Sequence, residues 1–217
     1  MFRLVGANLN YSSWTVRTWL ALEHAGAAFQ LHDVGLKTQD GWKDRILNFS
    51  GAGKVPILID GPLSVHESLA ICEYVAEKYP AAKLWPDDAA LRARGRAISC
   101  EMLSSFGAIR NQMPMNLRGR ARRTPAGTGL ETEIRRVFEI WEASMSANAG
   151  KFLLGEFSIA DCMYAPVVTR FRTYGVAAPA SVERYIGAIL SHPPMQKLEG
   201  LAQGTDPIAE YDEVLAA

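Results

Sequence analysis

Excess charge of either sign is missing from this 217-residue chain: 23 Lys and Arg stand against 23 Asp and Glu, for a formal net charge of zero. That balance excludes a polyanion partner as a first reading, because nucleic-acid binders carry a basic excess. Cysteine is scarce. Cys72, Cys100 and Cys162 are widely spaced and form no CxxC or Cys/His ligand pattern, so reduced thiols and no metal site are expected. Long apolar runs are missing too. Tyr185–Gln196, among the longest stretches without Asp, Glu, Lys or Arg, has 12 residues and includes Pro193 and Pro194. A membrane span needs roughly 18 or more apolar residues. No basic segment followed by an apolar run opens the chain, which predicts no secretory leader and a cytoplasmic location. A GxSxG motif is absent and no histidine stands as an evident base, so a serine-hydrolase reading does not follow. What is present is 48% apolar residues, enough for a sizeable core, over a length of about 1.4 average domains.

The first 80 residues alternate between element types. Phe2–Gly6 reads as a strand. Ser12–Gly26 reads as a helix with Val16, Trp19, Leu20 and Leu22 on its apolar stripe, and Phe29–Asp33 as a period-2 strand. After an irregular stretch, Val55–Ile59, the Asp60-Gly61 turn and Leu63–Val65 predict a hairpin, and Ser68–Tyr79 a helix. The order β-α-β, then β-β-α, predicts a small mixed sheet with helices on both faces. The proline-bracketed segment 80–86 reads as a linker. Beyond it the periodicity is helical throughout: Ala89–Arg118 as one long helix bent at Pro114, then Leu130–Ala147, Ser158–Tyr174, Ser181–Leu190 and Pro194–Ala202.

Three motifs can carry chemistry. In Lys54-Val55-Pro56-Ile57-Leu58, a proline opening a strand marks an edge or a cis bond. A cis Val55-Pro56 bond would turn the backbone of Val55 outward to pair with an extended peptide; an ordinary trans proline is equally compatible. Glu67-Ser68 opens the next helix. Ser68 is a good N-cap, the free N–H groups there suit a carboxylate, and Glu67 suits an ammonium group. The pair would fit the zwitterionic end of a peptide, or simply cap the helix. Tyr11-Ser12-Ser13-Trp14 enters the first helix. Its hydroxyls can cap that helix or donate to an incoming thiolate.

Taken together and in this order, the motifs resemble the cytosolic glutathione transferase family. The resemblance rests on Ser12-Ser13, on Lys54-Val55-Pro56-Ile57-Leu58 and on Glu67-Ser68-Leu69-Ala70-Ile71, and it covers essentially the whole chain. It implies an α/β plus all-α architecture: a thioredoxin-like N-terminal domain at 1–80 that binds glutathione, and an all-helical domain at 88–217 that borders the electrophile site. The run Phe157-Ser158-Ile159-Ala160-Asp161 matches the capping box of the helical domain and is structural. Glutathione is the implied co-substrate. The backbone of Val55, held by Pro56, would pair with its cysteinyl part, Glu67 and Ser68 would hold the γ-glutamyl end, and Lys54, with Arg45 second, would meet the glycine carboxylate. The serine pair resembles the zeta and theta classes, which implies Ser12 as the donor to the thiol, with Ser13 second and Tyr11 the competitor from tyrosine classes. Where zeta-class isomerases resemble Ser-Ser-Cys-Ser-x-Arg, this chain has Trp14 in place of the cysteine, which counts against maleylacetoacetate isomerisation.

Arg110, Asn111, Met113, Met115 and Asn116 fall on the helix that borders the electrophile site in the family; Arg110 could orient a carboxylate there. The cluster Arg118, Arg120, Arg122 and Arg123 reads as a solvated face. The implied function is conjugation of the glutathione thiolate to small electrophiles, with homodimers expected. The alternatives are a glutathione-dependent cis-trans isomerase of the maleylacetoacetate type and a non-catalytic binding protein.

Overall fold

The computed structural model describes residues 1–36, 39–120 and 123–213, without the side chains of Glu210 and Glu213; Arg122 of the basic cluster lies outside the described residues. Four strands come first: β1 (Phe2–Gly6), β2 (Phe29–Asp33), β3 (Ile57–Asp60) and β4 (Leu63–His66). They form one sheet in the order β2-β1-β3-β4. β1 runs parallel to β2, with Leu4 opposite Leu31, and antiparallel to β3, with Leu4 opposite Leu58. β3 returns through the Asp60-Gly61 turn to β4. As an inner strand covered on both faces, β1 is an unbroken apolar run at Leu4 and Val5, both fully buried.

Helices α1 (Ser13–His24), α2 (Trp42–Leu47) and α3 (Ser68–Lys78) complete the thioredoxin-like unit. The helical part follows as α4 (Ala89–Ser104), α5 (Gly107–Gln112), α6 (Thr128–Met145), α7 (Ile159–Tyr174), α8 (Ala180–Leu190), α9 (Pro193–Gln203) and α10 (Ala209–Glu213). No described helix is long and apolar enough to cross a membrane.

Three expectations change. The long helix expected over 89–118 is two helices, because Phe106 takes a left-handed conformation (φ 64°) and α5 stops two residues before Pro114. Short α2 fills part of the stretch read as irregular; six residues are too few for a periodic signal. Ser68 is the first residue of α3 rather than its cap, and Glu67 holds the cap position without a side-chain cap bond.

The thioredoxin-like and helical parts share one core. Leu4, Trp19 and Leu20 from the first part and Trp141, Tyr164 and Phe171 from the second belong to a single buried cluster. α7 is its axle, with 15 of its 16 residues buried. Arg17 on α1 donates from Nε to the carbonyl of Met163 on α7 (3.1 Å), which fixes the two parts against each other. A smaller cluster of Val5, Val34, Ile46 and Ile57 seats α2 on the sheet.

At the N-terminus of α7, Asp161 accepts from the Ser158 N–H (2.9 Å), the Ser158 hydroxyl (2.9 Å), the Leu153 N–H (3.1 Å) and the Tyr185 hydroxyl (3.1 Å). Burial outweighs these bonds and pushes its carboxyl up to about 6.

Candidate active site

The mouth of α1 is set by a close approach. A Cβ on Gly6 would come within 2.4 Å of Thr15 Cγ2, so only glycine lets the end of β1 touch the first turn of α1. The contact brings the Ala7 N–H to Thr15 Oγ1 (3.0 Å). Thr15 Oγ1 in turn lies 2.8 Å from Ser12 Oγ, which also accepts from the Thr15 N–H (3.4 Å) as the N-cap of α1. When Thr15 donates to Ser12, the proton of Ser12 is left to point into the adjoining cleft. Ser13, one residue on, accepts at Oγ from Arg170 Nη2 (3.4 Å).

Tyr11 is already committed. Its hydroxyl donates to Asp212 Oδ2 (2.7 Å) and accepts from Arg118 Nη2 (2.8 Å) and the Ile208 N–H (3.1 Å). Its ring packs on Tyr211 with centroids 5.2 Å apart. The one proton that a phenol can donate goes to the C-terminal segment, not to the cleft. Arg118, read as part of a solvated face, is drawn into this same network.

Across the cleft, the Val55-Pro56 bond is cis. β3 begins only at Ile57, and among the described residues no hydrogen bond takes up the backbone N–H or C=O of Val55. Glu67 sits just before α3 with φ 71°, a left-handed conformation that costs a non-glycine residue roughly 1–3 kcal/mol and collects at functional sites. Ser68 is fully buried, and its hydroxyl has no partner among the described residues. Of the basic side chains nearby, Lys43 donates to the carbonyl of Gly53 (3.0 Å), and Arg45 donates to those of Val34 and Asp40 (2.8 Å each). Arg45 does not reach the cleft, whereas Lys54 lines it.

One cleft of about 500 Å³ has Tyr11, Ser12, Ser13, Lys54, Val55, Pro56, Glu67 and Arg110 in its walls. Ser68 is not among the wall residues. Met115 lines the cleft as well, whereas Arg45, Asn111, Met113, Asn116 and Arg118 do not. Arg110 is half-buried and tied down: it donates to the carbonyls of Met102, Leu103 and Ser105 at the end of α4. Arg170 on α7 was missed by sequence reasoning, because it lies inside an apolar helix far along the chain from the motifs. It donates to the carbonyls of Met113 (2.7 Å) and Pro166 (3.2 Å), and burial lowers its guanidinium to about 10. Trp42 and Leu36, also in the wall, carried no signal in the sequence.

No group of His, Cys, Asp and Glu among the described residues could hold a metal. Cys72, pushed up to about 12 by burial, and Cys162, pushed up likewise, are inert core thiols.

Comparison with known proteins agrees with the geometry. The glutathione S-transferase N-terminal domain family matches residues 11–78, and the glutathione S-transferase C-terminal domain family matches 105–203. Among curated relatives, a rat maleylacetoacetate isomerase is 30% identical over 76% of this chain and 75% of its own length. A Dianthus caryophyllus glutathione S-transferase 1 is 27% identical over 76% and 75%. Among solved structures, a Burkholderia glutathione transferase homolog with bound glutathione superposes with a TM-score of 0.72 at 21% identity, covering 94% of this chain and 99% of that one. A theta-class enzyme from Xanthomonas axonopodis pv. citri, also with glutathione bound, gives 0.68 at 23%, covering 90% and 95%. With both domain families matched in order over most of its length, the chain belongs to the glutathione S-transferase family.

Proposed function

We propose that the cleft binds glutathione and joins its thiolate to a small electrophile. The observation that carries this is the convergence on one cleft of a hydroxyl at a helix N-terminus (Ser12), an unpaired backbone beside a cis-proline (Val55, Pro56) and a helix start bearing an acid (Glu67). In this reading the N–H and C=O of Val55 pair with the cysteinyl part of the peptide as an added strand. The free N–H groups of α3 with Ser68 take the γ-glutamyl carboxylate, and Glu67 takes its ammonium group. Lys54 faces the glycine carboxylate. The thiol loses its proton to solvent, and the thiolate is held by the Ser12 hydroxyl and the N-terminus of α1. Its sulfur then attacks the electrophilic carbon; a C–S bond forms, and a leaving group departs as an anion or the adjacent carbon takes up a proton.

The thioredoxin-like part, 1–80, supplies the glutathione side, and 88–217 supplies the electrophile side. The enzyme acts in the cytoplasm as a homodimer with a detoxifying role, as its resemblance to cytosolic transferases implies; gel filtration at monomer mass would remove the dimer. The transferase reading is tested by titrating the tryptophan fluorescence with glutathione, Trp14 being in the wall, and by assaying conjugation of chlorodinitrobenzene. Saturable binding with conjugation well above the uncatalysed rate is expected.

Isomerisation of a maleylacetoacetate-type diacid is the second reading, favoured by relatives of that name at 29–30% identity. Turnover of maleylacetoacetate with glutathione regenerated, and without net conjugation, would select it. Binding without turnover of either substrate would leave a non-catalytic binding protein.

A further inference from the structure

Three guanidinium groups meet where the cleft borders the helical part. Arg17 on α1 is fully buried with Cζ 4.4 Å from the ring centroid of Trp14. Arg110 on α5 has Cζ 4.8 Å from the same centroid. Arg170 on α7, 5% exposed, reaches the neighbouring Ser13. Trp14, Arg110 and Arg170 all line the cleft, with Pro114 and Met115 beside them.

No ion pair among the described residues joins any of the three arginines. Glu133, the acid that acts on Arg110, spends its oxygens on the N–H groups of Ala108 (3.1 Å) and Ile109 (2.9 Å). Nη1 and Nη2 of Arg17 and Nη1 of Arg110 are buried without a partner among the described residues. Burial, then repulsion from Arg110 and Arg170, drives the Arg17 guanidinium well below its ordinary range. Trp14 offers cation–π contact, which offsets only part of the cost of burying like charges together. Such a cluster is stabilised by an anion, and a guanidinium fork matches a carboxylate with two parallel hydrogen bonds.

On the transferase reading of the cleft, we propose that this cluster is a carboxylate subsite for the electrophile, so that the enzyme acts on small electrophiles that carry a carboxylate group. Arg110 and Arg170 touch the carboxylate, and Arg17 adds its charge from behind Trp14. The other source of a carboxylate is glutathione itself, whose two ends would be met by Lys54, ahead of β3, and by Glu67-Ser68, at the start of α3.

The test uses matched acids and amides. Calorimetry measures nitrobenzoate and nitrobenzamide binding to protein saturated with S-methylglutathione. Steady-state kinetics measure kcat/KM for chloronitrobenzoate and chloronitrobenzamide, each normalised to its uncatalysed rate. The acid should bind at least about tenfold more tightly than the amide, the size of one charge-assisted hydrogen bond. Arg110→Met and Arg170→Met should each collapse the acid-to-amide ratio toward one, and Arg110→Lys should restore part of it. A structural defect lowers both ligands alike and leaves the ratio. Equal binding of acid and amide to the native protein overturns the proposal. So does an unchanged ratio in both variants accompanied by a raised KM for glutathione, which would assign the arginines to the tripeptide. Should Arg170→Met fail to fold, the native protein and the half-exposed Arg110 still decide. Turnover of the neutral amide judges the transferase reading separately: acid preference in binding without any turnover keeps the subsite and removes the transferase.

Discussion

Ser12→Ala is the sharpest perturbation available. The Ala7 N–H, Thr15 Oγ1 and Ser12 Oγ form a chain (3.0 Å and 2.8 Å), and when Thr15 donates to Ser12 the remaining proton belongs to Ser12. A free thiol ionises near 8.5, and each unit of lowering requires about 1.4 kcal/mol of selective stabilisation of the thiolate. A hydrogen bond to a charged acceptor is worth roughly 1.5–3 kcal/mol. Removing it should therefore raise the pKa of bound glutathione by about one to two units. Below the native inflection the conjugation rate should fall about 10- to 100-fold, because the rate there follows the thiolate fraction. Above the new inflection it should recover, since a more basic thiolate is at least as nucleophilic. Loss of the N-cap also costs about 1 kcal/mol of stability, read separately by denaturation. The assay is the pH profile of kcat/KM with chlorodinitrobenzene, paired with the ultraviolet absorbance of thiolate in the binary complex. An inflection that stays in place in Ser12→Ala would refute the argument from the hydroxyl chain. Ser13→Ala serves as the counter-test, because a shift there instead would make the Arg170-bound serine the donor. Tyr11→Phe should leave the inflection where it is while losing about 1–3 kcal/mol of stability from its contacts with Arg118, Ile208 and Asp212.

Further outcomes are expected elsewhere in the chain. Glu67→Gly should move two observables in opposite directions: relief of the φ 71° strain raises the melting temperature by the equivalent of about 1 kcal/mol, while glutathione binds about tenfold more weakly. Asp161→Ala leaves buried donors of Leu153, Ser158 and Tyr185 without their acceptor and should cost about 3–5 kcal/mol in urea unfolding. His24 Nδ1 lies 3.2 Å from His192 Nε2, and His192 stacks on Phe157. Burial, then the charges of His24 and Lys151, lowers His192 to about 4, and burial lowers His24. Because the folded value is below the unfolded one, the unfolded chain takes up the proton first. Stability from this pair is complete above about pH 6.5 and falls as pH drops toward 4, by about 1–2 kcal/mol after allowance for half-exposure. The stability difference between the native protein and His192→Phe isolates this contribution, since the titration of Asp161 is common to both; a difference that is flat from pH 7 to 4 would contradict it.

The site is assembled from segments that contribute different physics. α1 and α3 point their N-termini at the cleft, so both bring unpaired N–H groups and a favourable dipole for anions. The edge at Val55 offers backbone pairing, and the helical part offers guanidinium groups. In the proposed reaction the thioredoxin-like part would fix the glutathione half, and the helical part would bear on what the thiol meets.

Much of the fold was legible in the sequence. β1, β2, the β3–β4 hairpin and helices α1, α3, α7, α8 and α9 follow from periodicity, turn residues and caps, all short-range effects. Ser12, Val55, Pro56 and Glu67 were legible as well, because their types are demanded by local geometry: a cap, an edge, a helix start. The break at Phe106, the short α2 and the docking of α10 on Tyr11 were not, since each depends on contacts between residues distant in sequence. Tyr11 stayed open as a competitor of Ser12 until Asp212, about two hundred residues on, took the phenol proton. Arg17 and Arg170 looked like ordinary positions within two separate helices. Only the packing of α1 against α7 brings them beside Trp14 with Arg110. Local chemistry determined which segments could cap, pair and turn; the tertiary structure decided which hydroxyl is withdrawn from the cleft and where uncompensated charge gathers, because burial and long-range contact set both.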